Sequence, residues 1–451
     1  MIFNDLLSSI GDTPIIKIKN IAPANINVYV KAEYFNPGGS VKDRLALNII
    51  EKAENNGELH ANQTVVEATS GNTGIGLAMV CANKGYPCVV TMPDSTSIER
   101  RKLMRFLGAK VLLTPAAQGT TASYDLAKKL AEKNDWFYAR QFENLANAEV
   151  HERTTAVEIL NDFKDLGLDF WVSGYGTGGT FSGVSRVLRK HSPNTKLIIT
   201  EPENAQLVNS PATQKRNDDG SPSSSHEAWN PHPIQGWTPD FIPLVLQESI
   251  DNNYFDQNIP ISGDEGIFWS HKLASKEGII TGISGGSTFA VAMKIAEEAP
   301  EGANILCMLA DTAERYLTSP ERELGEIKRR QRLVNEFSKV PEVVREMGQV
   351  LKTGSDLERI LGRLRNRLVR PRELGGLRAT IRGLPRIREV LLQQQDQYPA
   401  IRELALQVET FDELATMLED ALEEELPADI KVDVKGEGGR VIRAGYNDRF
   451  D

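Results

Sequence analysis

The strongest constraint on the fold is a regular alternation of short apolar segments with amphipathic segments along residues 1–320. The apolar segments are rich in Val, Ile and Leu without strict apolar–polar alternation, which is typical of strands buried on both faces. They occupy residues 28–32, 65–68, 88–92, 111–114, 170–173, 197–200 and 305–309. The amphipathic segments have helical spacing and occupy residues 73–84, 98–107, 122–133 and 180–191. This alternation predicts an α/β fold in which helices cover parallel twisted sheets.

A change in composition near residue 320 predicts two separate units, 1–320 and 321–451. Residues 1–320 contain 18 Lys, 10 Arg and all five Trp, whereas residues 321–451 contain 5 Lys and 19 Arg. The net charge of −10 belongs almost wholly to the first part. An acidic chain of this kind is a poor match for a protein that wraps DNA or binds a membrane surface.

The cysteine content and the N-terminal residues indicate the cellular compartment in which the protein is expected. Cys81, Cys88 and Cys307 are too few and too scattered for a disulfide framework or a zinc site, so no metal is expected. The first residues lack the basic start and apolar core of a signal peptide, and no run of 18 apolar residues occurs. These features predict a soluble cytoplasmic protein.

Three loops follow apolar segments, at the strand ends where open α/β sheets bind ligands. In the first, NPGGSVKDR at 36–44, we expect Ser40 to cap a helix that begins at Val41. Lys42 would then lie in the first helical turn, where the positive helix end lowers the pKa of its amine. Such a lysine can form an imine and move a proton, although a solvated surface lysine is the alternative.

The second loop, TSGNTG at 69–74, also precedes a predicted helix. Backbone N–H groups and hydroxyls at a helix N-terminus can bind a carboxylate, and the alternative is an ordinary capped turn. A similar turn, GISGGST at 282–288, opens a helix predicted at 289–298, where a lone serine is most simply a cap.

The third loop, GYGTGGT at 174–180, has closely spaced glycines that let the backbone wrap a phosphate. It also fits the G-x-G-x-x-G dinucleotide pattern, with Glu201 about twenty residues later. A nicotinamide enzyme is therefore a competing hypothesis, although its loop would be expected in a first βαβ unit and would leave the other loops unexplained.

Taken together, NPGGSVKDR, TSGNTGIGLA, GYGTGGTFSG and GISGGST resemble the cysteine synthase (O-acetylserine sulfhydrylase) family of pyridoxal-phosphate enzymes. The resemblance continues through IGDTPIIKI, QFENLAN, HPIQGWTPDFIP and DTAERYLTSP, and it covers essentially residues 1–320. It implies the two-lobed, tryptophan synthase β-like fold type II, usually as a homodimer. The smaller lobe would comprise about residues 40–145, and the larger lobe residues 1–39 and 146–320.

The resemblance also implies roles for individual residues. Lys42 would hold pyridoxal 5'-phosphate covalently and move the substrate's α-proton. The other implied cofactor contacts are Asn72 at the ring hydroxyl, Ser284 at the ring nitrogen, and Gly176, Thr177, Gly178, Gly179 and Thr180 at the phosphate. The implied substrate contacts are Thr69, Ser70, Gly71, Thr73, Gln141 and Gly236.

The implied reaction is β-replacement, in which sulfide displaces acetate from O-acetyl-L-serine to give L-cysteine. Three residues, Leu145, Ala156 and Ala313, depart from the family pattern, and GISGGST also resembles cystathionine β-synthase. A cystathionine β-synthase-like reaction, or another β-replacement on a serine derivative, is therefore the alternative. The polar segment 209–233 is rich in Ser, Pro, Asn and Asp, which favours a surface loop over an active-site lid.

Residues 321–451 have the pattern of long amphipathic helices, with starts expected at Pro341, Pro371, Pro385 and Pro399. EIKRRQRLVNEF, GSDLERILGRLRNRLVRPREL and GGRVIRAGYNDRFD resemble a fragment of the helical core of the MutS DNA mismatch-repair family, without a P-loop motif in the chain. Ten arginines lie between residues 359 and 388. A DNA-binding fragment is one hypothesis, and solvated helix faces paired with the acidic stretch 419–425 are the favoured one.

Overall fold

The protein is described by a computed structural model that defines residues 2–94, 96–115, 119–316, 324–352, 354–365, 368–393, 397–427 and 440–446. The chain divides into two compact units, Met1–Leu324 and Gly325–Asp451. Each unit has hydrophobic clusters of its own, built from buried Ile, Leu, Val and Ala side chains.

The strands of the first unit form two sheets. They are β1 (Ile15–Lys17), β2 (Asn27–Ala32), β3 (Val65–Ala68), β4 (Cys88–Pro93), β5 (Lys110–Thr114), β6 (Phe137–Tyr138), β7 (Phe170–Gly174), β8 (Lys196–Thr200), β9 (Gln257–Asn258) and β10 (Asn304–Leu309). The larger sheet has the order β1-β2-β10-β7-β8-β9 and the smaller sheet the order β5-β4-β3-β6. Only β1 pairs antiparallel, among the strands that the structure describes. The parallel sheets and buried strands confirm the predicted α/β class.

The helices of the first unit cover both sheets. They are α1 (Lys42–Asn56), α2 (Asn72–Lys84), α3 (Ile98–Phe106), α4 (Gly119–Asn134), α5 (Ala146–Arg153), α6 (Thr155–Asp162), α7 (Gly179–His191), α8 (Leu244–Asp251), α9 (Gly263–Glu277) and α10 (Ile283–Glu298). Short 3-10 helices occupy Leu7–Ser9, Glu33–Phe35 and Ala313–Tyr316. The amphipathic segments predicted as helices lie in α2, α3, α4 and α7.

Two helix starts differ from the prediction. The cap of α1 is Val41 rather than Ser40, whose hydroxyl accepts a hydrogen bond from the Lys42 N–H at 3.2 Å. The helix α10 begins at Ile283, so GISGGST forms its first turns instead of a loop before residue 289. Small side chains allow this, because they let α10 pack closely against α9.

The second unit is helical. Its helices are α11 (Leu324–Phe337), α12 (Pro341–Leu351), α13 (Leu357–Arg365), α14 (Pro371–Leu392), α15 (Pro399–Gln407) and α16 (Asp412–Ala421). Three of the four prolines stand at helix starts as predicted, but Pro385 lies inside α14. The helix continues there because residues on either side of Pro385, Ile381 and Ile387, are buried in hydrophobic clusters of this unit.

Acidic side chains of the same unit pair with several of its clustered arginines. Arg359 and Arg363 both pair with Glu373, and Arg382 pairs with Glu419 at 3.2 Å. Arg378 donates to backbone carbonyls at residues 422–424. These contacts support the hypothesis of paired helix faces, although exposed pairs of this kind add little stability. Arg367 lies outside the described residues.

Membrane insertion of a helix has no support in the described part of the chain. None of the helices there combines the length and the apolar character that a membrane crossing requires.

Candidate active site

A cavity of about 850 Å³ lies at the carboxyl ends of β3, β7 and β10. The N-terminal ends of α1, α2, α7 and α10 also reach it. This is the position at which open α/β sheets bind ligands. The three sequence loops at 36–44, 69–74 and 174–180, which are far apart in the chain, therefore meet at one place.

Lys42 is the first residue of α1, is half-buried and lines the cavity. Burial lowers the pKa of its amine to about 8, while the charges of Asp311 and Glu33 oppose the change. The sequence predicted this direction from the helix end, but desolvation is the main cause. An amine with this pKa is partly neutral near neutral pH, as both imine formation and proton abstraction require.

A buried ionic cluster holds the start of α1 in place. Arg44, two residues after Lys42, is 1% exposed and pairs with Glu33 at 2.8 Å and with Glu158 at 2.6 Å. Lys31 of β2 pairs with Glu158 at 2.7 Å. These contacts tie α1 to the larger sheet and to α6, so they restrict where the Lys42 side chain can reach.

The loop at 174–180 has the features of a phosphate cradle. Gly178 caps α7 with a φ of +85°, a left-handed conformation that favours glycine. A Cβ on Gly176 would lie 2.2 Å from the carbonyl oxygen of Gly236, so only glycine fits there. The backbone N–H groups of residues 176–180 have no acceptor among the described residues. Free donors at a helix N-terminus fit the phosphate that the family resemblance implies.

The side chains of this loop are oriented from α5. Asn147 donates to the Thr177 hydroxyl at 2.8 Å, and the Thr180 hydroxyl lies 3.2 Å from Nε2 of His151. Burial, together with the charges of Arg44 and Lys42, holds the pKa of His151 well below its usual value. The imidazole is therefore neutral, and it can orient Thr180 without adding charge to the site.

The loop after β3 also contributes to the cavity lining. Thr69, Ser70, Gly71 and Thr73 all line the cavity, and the Thr73 hydroxyl donates to Oε1 of Gln141 at 2.6 Å. Hydroxyls, an amide and the N-terminus of α2 together can bind a carboxylate.

Glu67 lies behind this loop and was not predicted as a site residue. It is 1% exposed, and both the N–H and the side-chain amide of Gln141 donate to its carboxyl oxygens at 3.4 Å. Burial, together with the charge of Glu143, raises the pKa of Glu67 to about 8. Glu67 is therefore a positioning residue for Gln141.

We expect the Glu67→Gln variant to gain stability relative to the wild type as the pH rises from about 5 to about 8. The folded protein holds a proton on Glu67 that the unfolded chain releases near the ordinary carboxyl pKa. The free energy of unfolding of the wild type therefore falls across this range, whereas the glutamine does not titrate.

Denaturant unfolding at the two pH values checks this expectation. The Glu58→Gln variant, which removes an exposed carboxylate of the same residue type, serves as the control. A Glu67→Gln difference that is the same at both pH values would contradict the assigned protonation.

A hydrogen-bonded network that the sequence did not reveal surrounds Asn72. Its amide donates to Asp311 at 2.7 Å, and its carbonyl oxygen accepts from Arg315. Tyr316 donates to Asp311 at 2.6 Å, and Arg315 also donates to the Gly38 carbonyl. The network joins the loops of Lys42 and Asn72 to the chain after β10. The motif DTAERY carried family resemblance but no signal for this role.

The remaining predicted residues are also at the cavity, with one exception. Ser284 is in the first turn of α10, 6% exposed, and it lines the cavity together with Gly236. Gly179 does not line the cavity, because it faces Asn147 at the start of α7. Its backbone N–H still belongs to the cradle.

The segment 209–233 contributes part of the cavity lining. Ser225, Trp229, Pro231 and His232 line the cavity, and the Trp229 indole donates to the carbonyl of Thr238 at 3.2 Å. The low apolar content of this segment predicts a surface loop, and the structure places part of it at the cavity. A few anchoring side chains are sufficient to bring it to the site.

Comparison with known families assigns both parts of the chain. Residues 6–311 match the family described as pyridoxal-phosphate dependent enzyme, and residues 313–437 match MutS domain III. These matches confirm both resemblances noted in the sequence. The match over residues 6–311 favours a pyridoxal-phosphate enzyme over the competing hypothesis of a nicotinamide enzyme.

Individual relatives are similar over the first unit. The chain is 46% identical to O-ureido-L-serine synthase of Streptomyces lavendulae over 318 residues, 70% of this chain and 92% of that protein. It is 42% identical to cysteine synthase of Staphylococcus aureus, over 70% of this chain and 96% of that protein. The crystal structure of O-ureido-L-serine synthase matches with a TM-score of 0.65 at 46% identity, covering 71% of this chain and 95% of that one. The crystal structure of the O-acetylserine dependent cystathionine beta-synthase from Helicobacter pylori matches with a TM-score of 0.62 at 36% identity. The match covers 71% of this chain and 98% of that one.

Proposed function

Because the chain belongs to the pyridoxal-phosphate dependent enzyme family and is of the cysteine synthase type, we propose that it converts O-acetyl-L-serine and sulfide into L-cysteine and acetate. The observation that carries the proposal is the meeting of three loops in one cavity. One supplies an amine, one a carboxylate receptor and one a set of free N–H donors.

The residues at the cavity fit the cofactor. We propose that Lys42 binds it covalently and that the N–H groups of residues 176–180 bind its phosphate, with the hydroxyls of Thr177 and Thr180. We assign Asn72 to the ring hydroxyl and Ser284 to the ring nitrogen. When bound, pyridoxal 5'-phosphate supplies an aldehyde that captures amines and an electron sink for charge that develops at the α-carbon.

Lys42 moves the proton in this proposal. Its amine would accept the α-proton of the bound substrate, while the Cβ–O bond breaks and acetate leaves with the bonding electrons. Sulfide then forms the Cβ–S bond, and Lys42 returns a proton to the α-carbon. A pKa of about 8 suits both directions of transfer, because a catalytic acid–base group works best near the operating pH.

The loop after β3 binds and orients the substrate. We propose that Thr69, Ser70, Gly71, Thr73 and Gln141 bind the substrate carboxylate, with Gly236 on the facing loop. Glu67 supports this arrangement by holding the Gln141 amide. Binding at the N-terminus of α2 would draw the smaller sheet toward the larger one and exclude water from the reacting atoms.

A second candidate reaction has the support of a specific relative. The product named in O-ureido-L-serine synthase carries a ureido-oxy group on the β-carbon, as results when the hydroxyl oxygen of hydroxyurea replaces the leaving group. The neighbour from Helicobacter pylori supports a third, cystathionine-forming reaction in the same way. In this chain the three candidate reactions would share the departure of acetate from the β-carbon and would differ in the nucleophile.

The visible absorbance of the loaded protein tests the proposal. We expect yellow protein whose spectrum shifts when O-acetyl-L-serine is added and returns when sulfide is added, with cysteine identified by mass spectrometry. Hydroxyurea, and separately homocysteine, should restore the spectrum more slowly than sulfide. If hydroxyurea or homocysteine restores the initial spectrum faster than sulfide does, the reaction with that nucleophile is selected instead. If O-acetyl-L-serine causes no spectral shift, the proposal is refuted.

We also propose which residues of the chain carry out catalysis. We assign catalysis to residues 1–320, with a smaller lobe at about 40–145 and a larger lobe at 1–39 and 146–320, and we expect a homodimer. We assign no catalytic role to residues 321–451, most of which match MutS domain III rather than the enzyme family.

A further inference from the structure

We propose that Arg100 forms an anion subsite in the cavity lining, which binds the small anion that leaves or enters at the substrate's β-carbon. The inference rests on the proposed function, since it concerns the acetate that is released and the hydrosulfide that replaces it. It names a residue for which neither sequence motif nor family resemblance supplied a role.

The position of Arg100 is the first observation. It lies in the first turn of α3, is only 7% exposed, and lines the same cavity as Lys42. Its guanidinium carbon is 4.8 Å from the centre of the Tyr316 ring, so the group is stacked on an aromatic face. Stacking fixes the plane of the guanidinium but leaves its N–H groups directed away from the ring.

The second observation is that this buried cation has no acceptor within the part of the chain that the structure describes. Among the described residues, no carboxylate lies within 4.0 Å of Arg100 and no oxygen accepts a hydrogen bond from it, and its Nε is buried without a partner. Arg44, which is similarly buried, is in contrast satisfied by two glutamates. Buried charges in proteins are normally paired, so an unpaired guanidinium beside a cavity indicates a place for an anion.

The acidic groups of the cavity lining do not supply that anion. Asp311 accepts from both Asn72 and Tyr316 through Oδ2, its Oδ1 is buried without a hydrogen bond, and neither oxygen forms an ion pair with Arg100. Asp240 accepts from Ser225 at 2.6 Å. The only other Lys or Arg among the described lining residues is Lys42, which the proposed function commits to the cofactor. Among the described lining residues, Arg100 is thus the cation that remains available to bind a small anion.

The chemistry of the reaction supplies two anions of suitable size. Acetate takes the electron pair of the breaking Cβ–O bond, and hydrosulfide supplies the pair of the new Cβ–S bond. A guanidinium can bind a carboxylate through two parallel hydrogen bonds, and it is more easily desolvated than an ammonium. By stabilising the leaving carboxylate, or by concentrating the nucleophile, Arg100 would accelerate one half of the reaction.

Three variants test the subsite in the cofactor-loaded full chain. Arg100→Gln removes the charge, and Arg100→Lys keeps the charge but lacks the paired N–H donors of a guanidinium. Arg105→Gln removes an exposed charge from the same helix and serves as the control. Acetate binding is measured by isothermal titration calorimetry, with acetamide as a neutral probe of the same shape. Stopped-flow absorbance separates the half-reaction with O-acetyl-L-serine from the return with sulfide.

We expect Arg100→Gln to weaken acetate binding about tenfold or more, with acetamide binding changed less than twofold. If Arg100→Gln slows the half-reaction with O-acetyl-L-serine relative to the wild type, the leaving acetate is the bound anion. If it slows the half-reaction with sulfide, hydrosulfide is the bound anion. Arg100→Lys should retain part of the effect, and Arg105→Gln should match the wild type.

The subsite is refuted if Arg100→Gln binds acetate and runs both half-reactions within about twofold of the wild type. It is equally refuted if Arg100→Gln binds both acetate and acetamide more weakly by the same factor, which would indicate altered packing around Tyr316. Failure of the proposed function has a different signature, in which the wild type shows no absorbance change with O-acetyl-L-serine. The acetate titration still reports on the subsite in that case.

Discussion

The Lys42→Ala variant should lose roughly 1,000-fold or more of its rate of cysteine formation, because one side chain serves both covalent catalysis and proton transfer. The variant should also lose the absorbance of covalently held cofactor, even when cofactor is supplied in excess. Steady-state rates and visible spectra of the purified protein measure the two effects separately.

The same helix offers a matched control for this variant. Lys52 lies in α1, is 39% exposed in its side chain, and pairs with Glu149 at the surface. Lys52→Ala removes an equal charge from α1 but no cavity group, so it should keep its activity within about twofold. Equal losses in the two variants would attribute the effect to α1 rather than to the amine, and full activity in Lys42→Ala would contradict the assignment outright.

The Gly176→Ala variant should lose most of its affinity for the cofactor and become less stable. The added Cβ would lie 2.2 Å from the backbone oxygen of Gly236, and a backbone atom gives way less easily than a side chain. Overpacking of this kind costs about 1–3 kcal/mol, and the displaced loop would also turn its N–H donors away from the phosphate. Cofactor titration and thermal unfolding, each with and without cofactor, measure the two losses.

A glycine elsewhere in the chain separates the clash from the general effect of alanine. Gly348 in α12 has no atom within 4 Å of its would-be Cβ and lies in a helix. Gly348→Ala should therefore leave cofactor affinity unchanged and stabilise its helix slightly. If Gly176→Ala binds cofactor as tightly as the wild type, residues 176–180 are not the phosphate site.

Much of the fold could be predicted because its signals are local. Strands buried on both faces need continuous apolar residues, so Val65–Ala68 could be located from the sequence alone. The helix boundaries that differed have causes outside the local sequence. The helix α10 starts early because its small residues pack against α9, and Pro385 is tolerated because neighbouring apolar residues are buried.

The candidate site could be predicted only where a loop motif carries its own chemistry. Lys42, the loop at 69–73 and the loop at 176–180 each combine residue types that suit one ligand group. Glu67, Asp311 and Arg100 carry no such signal, because an acid in a strand or an arginine in a helix is ordinary until its neighbours are known. Their roles come from burial and from partners that are distant in the chain.

The sequence alone therefore determined the α/β class, the cofactor family and the loops that hold the chemistry, since these depend on residue type and spacing. The tertiary structure decided which charges are paired and which are not. It joined Asn72 to Asp311 across 239 positions and stacked Arg100 of α3 on Tyr316 of the 3-10 helix after β10. The physical reason is desolvation, because a buried charge or donor acquires a role from the groups that replace its water, and only the folded chain brings those groups together.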